Sequence, residues 1–138
     1  ACSDSRVPPE HIFSAGIGNL FVIRTAGAVV GDYELGSVEY AVVHLGVRLV
    51  LVMGHTFCGA VDAAINSHES GYINSILWDI KEAIGNEKDV HVSEILEVKN
   101  SLHRLSKSPV LNKLNEEGKV LFKGAIYDIE TGKVNFMD

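Results

Sequence analysis

Proline is scarce in this chain, 3 in 138 residues, as are cysteine, 2, and tryptophan, 1. So few prolines exclude a proline-rich linker, and the 46% hydrophobic content is globular rather than disordered. Two cysteines exclude the disulfide framework that staples small secreted domains. Positive charge is in deficit, 12 Lys and Arg against 18 Asp and Glu, for a net charge of -6. That balance argues against nucleic-acid and acidic-membrane partners. No apolar run approaches the ~18 residues that cross a bilayer, and no signal peptide is visible. The expectation is a soluble, cytoplasmic protein with no membrane partner.

No repeat, low-complexity tract or linker interrupts the sequence, which reads as a single domain over 1–138. Residues 20–24 (LFVIR) and 48–53 (RLVLVM) are short apolar runs rich in Val, Ile and Leu, expected as buried strands. Between them, 34–47 carries Leu35, Val38, Val42 and Leu45 at helical spacing with Gly46 at the stop. This predicts a helix crossing between two parallel strands. A Gly-rich turn and an Ala-rich helix follow Met53, which places turn residues at the carboxyl end of a sheet. Helical stripes recur over 72–85 and 93–105, with Ser93 and Glu94 marking a start, and Ser108-Pro109 marks a break. Residues 120–136 read as two strands joined at Glu130-Thr131-Gly132, a hairpin at the sheet edge. The expected fold class is α/β, a mainly parallel central β-sheet flanked by helices, with an antiparallel edge strand.

Cys2, Asp4 and Arg6 stand at every second position, and an extended backbone would put all three on one face. His55 and Cys58 lie in the turn after the second apolar run, where side chains three positions apart can reach a common point. Cys2 sits where an N-terminal strand would end, and the carboxyl ends of parallel strands share one edge. Two thiolates and one imidazole make a tetrahedral zinc set with a fourth position for water. The residues alone leave other readings open: a disulfide, disfavoured in a cytosolic chain, two inert buried thiols, and a plain Asp4–Arg6 surface ion pair. His11, His44, His68, His91 and His103 lack partners at metal spacing and read as surface or satisfied core groups.

CSDSRVP, LFVIRTAG, SVEYAVVHLGV and VLVMGHTFCGAV, in that order, and then GYINSI, SLHRLSKSPVL and GAIYDIETGKV, resemble the β-class carbonic anhydrases over nearly the whole chain. The resemblance implies a catalytic Zn2+ in each subunit, bound by Cys2, His55 and Cys58. It further implies that Asp4 either ligates the zinc, closing the site, or turns to Arg6 and leaves room for water. The implied reaction is reversible hydration of CO2 to bicarbonate and a proton. Zinc lowers the pKa of its water to roughly 7 to 9, hydroxide attacks CO2, and Asp4 accepts a hydrogen bond that aims it. Two thiolate ligands place that pKa toward the upper part of the range, so activity is expected to rise with pH. The N–H of Gly59, at a helix start, is a candidate to polarise a CO2 oxygen.

Arg24 and Tyr40 match two residues of a regulatory bicarbonate pocket found in some members. Their plainer reading is a strand-end cation and a helix tyrosine at a subunit boundary. A homodimer or homotetramer is implied, and an apolar helix face with Val42, Val43 and Leu45 is compatible with it. Members carry an N-terminal arm and a first strand ahead of the cysteine, both expected upstream of Ala1. Relatives that hydrolyse CS2 or COS on the same zinc set supply the alternative reading. A non-catalytic zinc or bicarbonate binder is a third, whose mark would be loss of Asp4 or Arg6; both are present.

Overall fold

The computed structural model describes residues 1–67 and 70–137, so His68 lies outside the described residues. Two helices come first, α1 (Pro9–Ile12) and α2 (Asp32–His44). Glu34 reaches back to accept the N–H of Gly31 at 3.0 Å, which starts α2 at Asp32, ahead of the expected Glu34. The helix stops at His44, and Gly46 follows at φ 71°, a conformation that costs glycine little.

Three strands form one mixed sheet in the order β1 (Leu49–His55), β2 (Leu121–Asp128) and β3 (Lys133–Phe136). β1 runs parallel to β2, from Leu49↔Leu121 to His55↔Tyr127, and β2 and β3 form the expected antiparallel hairpin. A parallel pair needs a long crossover. Here it runs through α3 (Gly59–Asn66), α4 (Ile73–Ile84), α5 (Val90–Ser106) and α6 (Pro109–Glu116). α5 lies against both β1 and β2, and α3, α4 and α6 pack on α5. Ile80, Leu105 and Leu111 are fully enclosed in the resulting core.

Asp89 caps α5 by accepting the Val92 N–H at 2.9 Å, so this helix begins at Val90 rather than at Ser93. Ser93 and Glu94 therefore lie inside the helix and are buried. Ser108 caps α6 in the same way, accepting the Leu111 N–H at 3.1 Å, with Pro109 in the first turn where its missing N–H costs nothing.

The expectation that LFVIR forms a buried strand is corrected. Residues 20–24 lie outside any strand, and the one rung nearby is the isolated parallel bridge Cys2↔Thr25. It is made by Ser3 N–H to Thr25 O (2.9 Å) and Thr25 N–H to Ala1 O (3.2 Å). A cavity of about 180 Å3 separates Leu20–Ile23 from Leu49–Met53, so α2 does not cross between two hydrogen-bonded strands. The apolar run signals burial, and a strand also needs a neighbour for its N–H and C=O groups. Among the described residues, no strand lies alongside 20–23, and the backbone contact there is the Ala1 amino group donating to Ile23 O at 2.9 Å.

α5 buries an unusual face: Ser93, Glu94, Glu97 and Ser101 are all enclosed. The Ser101 hydroxyl lies 3.1 Å from both Ala28 O and Glu97 Oε1, yet it has one proton to give. The two acceptors therefore share one donor, and the buried Glu97 carboxyl is left short of hydrogen bonds. Burial accordingly raises the Glu97 carboxyl from the ordinary 4.5 to about 7.

Two predictions follow from this packing. Because the folded state binds the Glu97 proton more tightly, its contribution to stability is full below about pH 4.5, declines as pH rises to about 7, and is flat above. Glu97→Gln should therefore gain on the wild type across that window, by on the order of 3 kcal/mol at the plateau; urea unfolding from pH 4 to 8 measures the difference, and a pH-independent difference contradicts it. At Gly54, an added Cβ would sit 2.7 Å from Val98 and 2.9 Å from Ile126, so Gly54→Ala should push α5 off β1 at a cost of about 1–3 kcal/mol. Unchanged unfolding midpoints would refute that contact.

Candidate metal centre

His55 is the last residue of β1. The ladder continues one step, Thr56 N–H to Tyr127 O at 3.0 Å, and Thr56 Oγ1 accepts the Ile129 N–H at 3.0 Å. Phe57 then takes φ 58°, and Cys58 occupies the position just before α3. Cys2 arrives from the other direction. Arg24 donates from Nε to Cys2 O (2.8 Å) and from Nη2 to Asp4 O (2.6 Å), fixing the backbone on both sides of the loop. Cys2, His55 and Cys58 are thereby brought together, all buried, with their ligand atoms within 4.8 Å of one another. Among the described residues, no other three His, Cys, Asp or Glu side chains meet in this way.

The donor set fits a soft metal. His55 Nδ1 donates to Thr56 O at 2.9 Å, which fixes the tautomer and leaves Nε2 with a free lone pair. That Nε2 is buried without a hydrogen-bond partner, a costly state that a metal ion relieves. Both cysteines are free thiols, so they form no disulfide. The two sulfurs share one proton between them: hydrogen bonding from Cys58 takes Cys2 down to about 3 against the effect of burial, and Cys58 is pushed up by Cys2 and by burial. Backbone groups of Asp4 and Gly27 stabilise a Cys2 thiolate, and those of Val61 and Ala60 a Cys58 thiolate. Burial opposes a charged His55, but its contacts with Cys2 and Thr56 hold its pKa above the usual value. Two thiolates and an imidazole suit zinc and disfavour Mg2+ or Ca2+.

Asp4 and Arg6 do meet, though not by sharing a face of an extended strand as expected. The chain turns at Ser5 and Arg6: Arg6 N–H bonds to Asp4 Oδ1 (2.9 Å) and Val7 N–H to Asp4 O (3.1 Å). Cys2 points into the core, while the Arg6 side chain is 47% exposed. A side-chain acceptor bonding two residues on is the habit of Asp in turns, and it competes with extended structure. Arg6 grips the carboxylate from Nε (3.0 Å to Oδ1) and Nη2 (2.7 Å to Oδ2). This pairing holds the Asp4 carboxyl well below the usual range. Arg6 Nη2 also donates to Phe57 O at 3.0 Å, tying the two ligand-bearing loops together.

Gly59 opens α3 beside Cys58, where first-turn N–H groups have no partner within the helix. Arg24 and Tyr40 serve different surroundings. The Arg24 guanidinium is engaged with the two backbone carbonyls, and Tyr40 lies on α2 at 51% exposure, near the rings of Phe21 and His44. On the same helix Val42 is buried in the core, whereas Val43 and Leu45 are exposed.

Glu94 and Glu97 were not among the residues expected at the site. Both line a small cavity with Cys2, His55 and Cys58. Glu94 Oε1 accepts the Cys58 N–H at 2.9 Å, and its Oε2 lies 3.3 Å from His91 Nδ1. His91, expected as a surface or satisfied core group, is exposed and has a buried acidic partner. Three-residue spacing of two acids on a helix normally reads as a solvated face, and nothing in the sequence marks this one as buried.

The sequence model of the carbonic anhydrase family matches residues 1–134. The chain is 32% identical over 148 residues to carbonic anhydrase 2 of Mycobacterium tuberculosis, covering 99% of this chain and 72% of that protein. Its fold is similar to the β-carbonic anhydrase CafA of Aspergillus fumigatus, with a TM-score of 0.88 at 30% identity, covering 99% of this chain and 72% of that one. It is similar also to one of two tetrameric β-carbonic anhydrases of Sordaria macrospora, with a TM-score of 0.88 at 26% identity, covering 99% and 77%. A match over almost the whole chain, on a fold that gathers two cysteines and a histidine, means that the chain belongs to the β-class carbonic anhydrases.

Proposed function

We propose that this carbonic anhydrase catalyses the reversible hydration of CO2 to bicarbonate and a proton, with one Zn2+ held by Cys2, His55 and Cys58. The observation that carries the reading is the buried, unpartnered Nε2 of His55 facing two free thiols within 4.8 Å. Zinc bound there supplies a Lewis acid that brings the pKa of a coordinated water toward neutrality.

The chain's own groups divide the remaining work. Arg6 keeps Asp4 ionised and turned from the triad, which leaves a fourth position accessible to substrate. Asp4, anchored and partly exposed, is an acceptor for a proton of the attacking oxygen and so orients its lone pair. The N–H of Gly59 stands where a helix start favours developing negative charge on CO2. We read Arg24 as a positioning residue for Cys2 and Asp4, and Tyr40 as part of a surface with the exposed Val43 and Leu45. A second copy in a homodimer or homotetramer would cover that surface. No described helix is long and apolar enough to cross a membrane, and two ligating free thiols suit a reducing cytoplasm.

Metal analysis and stopped-flow CO2 hydration test the reading together. The wild type should carry about one zinc per chain, with hydration rising across roughly pH 7 to 9. Cys58→Ser should lose the metal and at least ~100-fold in rate, and Asp4→Ala should retain zinc but lose on the order of 100-fold. Full activity in Cys58→Ser would end the zinc mechanism, and CS2 turnover with negligible CO2 hydration would reassign the substrate.

A further inference from the structure

Among the described residues, Phe57 is one of three non-glycine residues at positive φ, 58°, and it stands directly before a metal-ligand candidate. Side chains with a Cβ disfavour this region, so something must hold it there. Packing does not, because Phe57 is 59% exposed. The contacts that fix Thr56, to Tyr127 and Ile129, end one residue earlier.

What holds Phe57 is a pair of opposite charges on one peptide group. The Phe57 carbonyl accepts from Arg6 Nη2 at 3.0 Å, and the N–H of the same peptide unit, belonging to Cys58, donates to Glu94 Oε1 at 2.9 Å. A cation on the oxygen and an anion on the N–H both favour a single orientation of the peptide dipole. The Glu94 jaw is the more rigid. Its side chain is 2% exposed and also held through Oε2 by His91, whereas the Arg6 side chain is 47% exposed. If the peptide rotated, a buried carboxylate would lose its donor and the Cys58 N–H its acceptor.

We propose that Glu94 is a positioning residue for the metal centre. By clamping the Phe57–Cys58 peptide against Arg6, it keeps Phe57 left-handed and thereby aims the Cys58 sulfur at Cys2 and His55. This rests on the metal reading above, and the clamp makes a prediction of its own in the metal-free protein. Asp4 and Glu94 become linked through Arg6: the cation that draws Asp4 from the fourth position is also the second jaw of the clamp.

The experiment combines Glu94→Ala, Glu94→Gln and Phe57→Gly, with Zn2+ affinity measured by competition with a chromophoric chelator. Glu94→Ala should weaken Zn2+ binding by roughly 10- to 100-fold, and Glu94→Gln, whose amide oxygen can still accept the N–H, should stay close to wild type. Phe57→Gly, at a position where glycine adopts positive φ without strain, should recover most of the affinity lost in Glu94→Ala. In the metal-free protein, the Cys58 amide should exchange with solvent at least ~10-fold faster in Glu94→Ala than in the wild type. Unchanged exchange, or a Glu94→Ala deficit that Phe57→Gly leaves intact, overturns the clamp. Should Glu94→Ala not fold, recovery of folding in the double variant supports the proposal and failure to recover overturns it. A wild type that binds no Zn2+ would remove the metal reading, and the exchange comparison would still decide the clamp.

Discussion

The constraint from which the rest of this molecule follows is the parallel pairing of β1 with β2. Parallel neighbours cannot be joined by a tight turn, so the chain must leave the sheet after His55 and return before Leu121. The four helices of that return do more than close a topological loop. α3 starts at the sheet edge with Cys58 just before it, and α5 comes back across β1 and β2 with Glu94 beside that cysteine. At Gly54 the helix comes close, since no Cβ fits between β1 and Val98. A candidate metal site whose pieces are far apart in sequence is thus assembled by the route one strand connection must take.

Charge is organised along a line through this site. Asp4, Arg6, the Phe57–Cys58 peptide, Glu94 and His91 follow one another in hydrogen-bonding order, from a partly exposed carboxylate through a buried one to a solvent-facing imidazole. Each link pairs a donor with an acceptor, so every member stabilises its neighbours, and a net charge of -6 does not prevent a concentration of acid around the site. Glu97 stands outside this line with no cation in hydrogen-bonding contact, and it is the acid that burial shifts toward neutrality. Two glutamates a single helical turn apart therefore have opposite electrostatic roles, decided by whether an N–H and an imidazole happen to face them.

Much of the fold could be read from local signals. β1, the β2–β3 hairpin, α4 and the Ser108-Pro109 boundary rest on apolar runs, turn residues and caps that act within a few positions. The convergence of Cys2, His55 and Cys58 followed from placing both loops at one sheet edge. What could not be read depends on partners distant in sequence. LFVIR has the composition of a strand, but among the described residues no strand runs beside it and Ala1 alone reaches its backbone, at Ile23 O. Asp4 competes locally for the Arg6 N–H and turns a chain that alternation alone would extend. Ser93 looked like a cap because Asp89, four positions earlier, takes that role through a side-chain bond that residue pattern does not reveal. Glu94 and Glu97 face inward only because α5 is covered on several sides, and residue type gives no hint of that.

The two margins of the sheet are defended unequally. β3 is four residues long and opens on Lys133, a short charged border that discourages another chain from adding to it. β1 is seven residues, Leu49 to His55, without a charge before its final histidine, and its free margin faces the cavity walled by Leu20–Ile23. Unpaired N–H and C=O groups beside apolar walls form a template for strand addition.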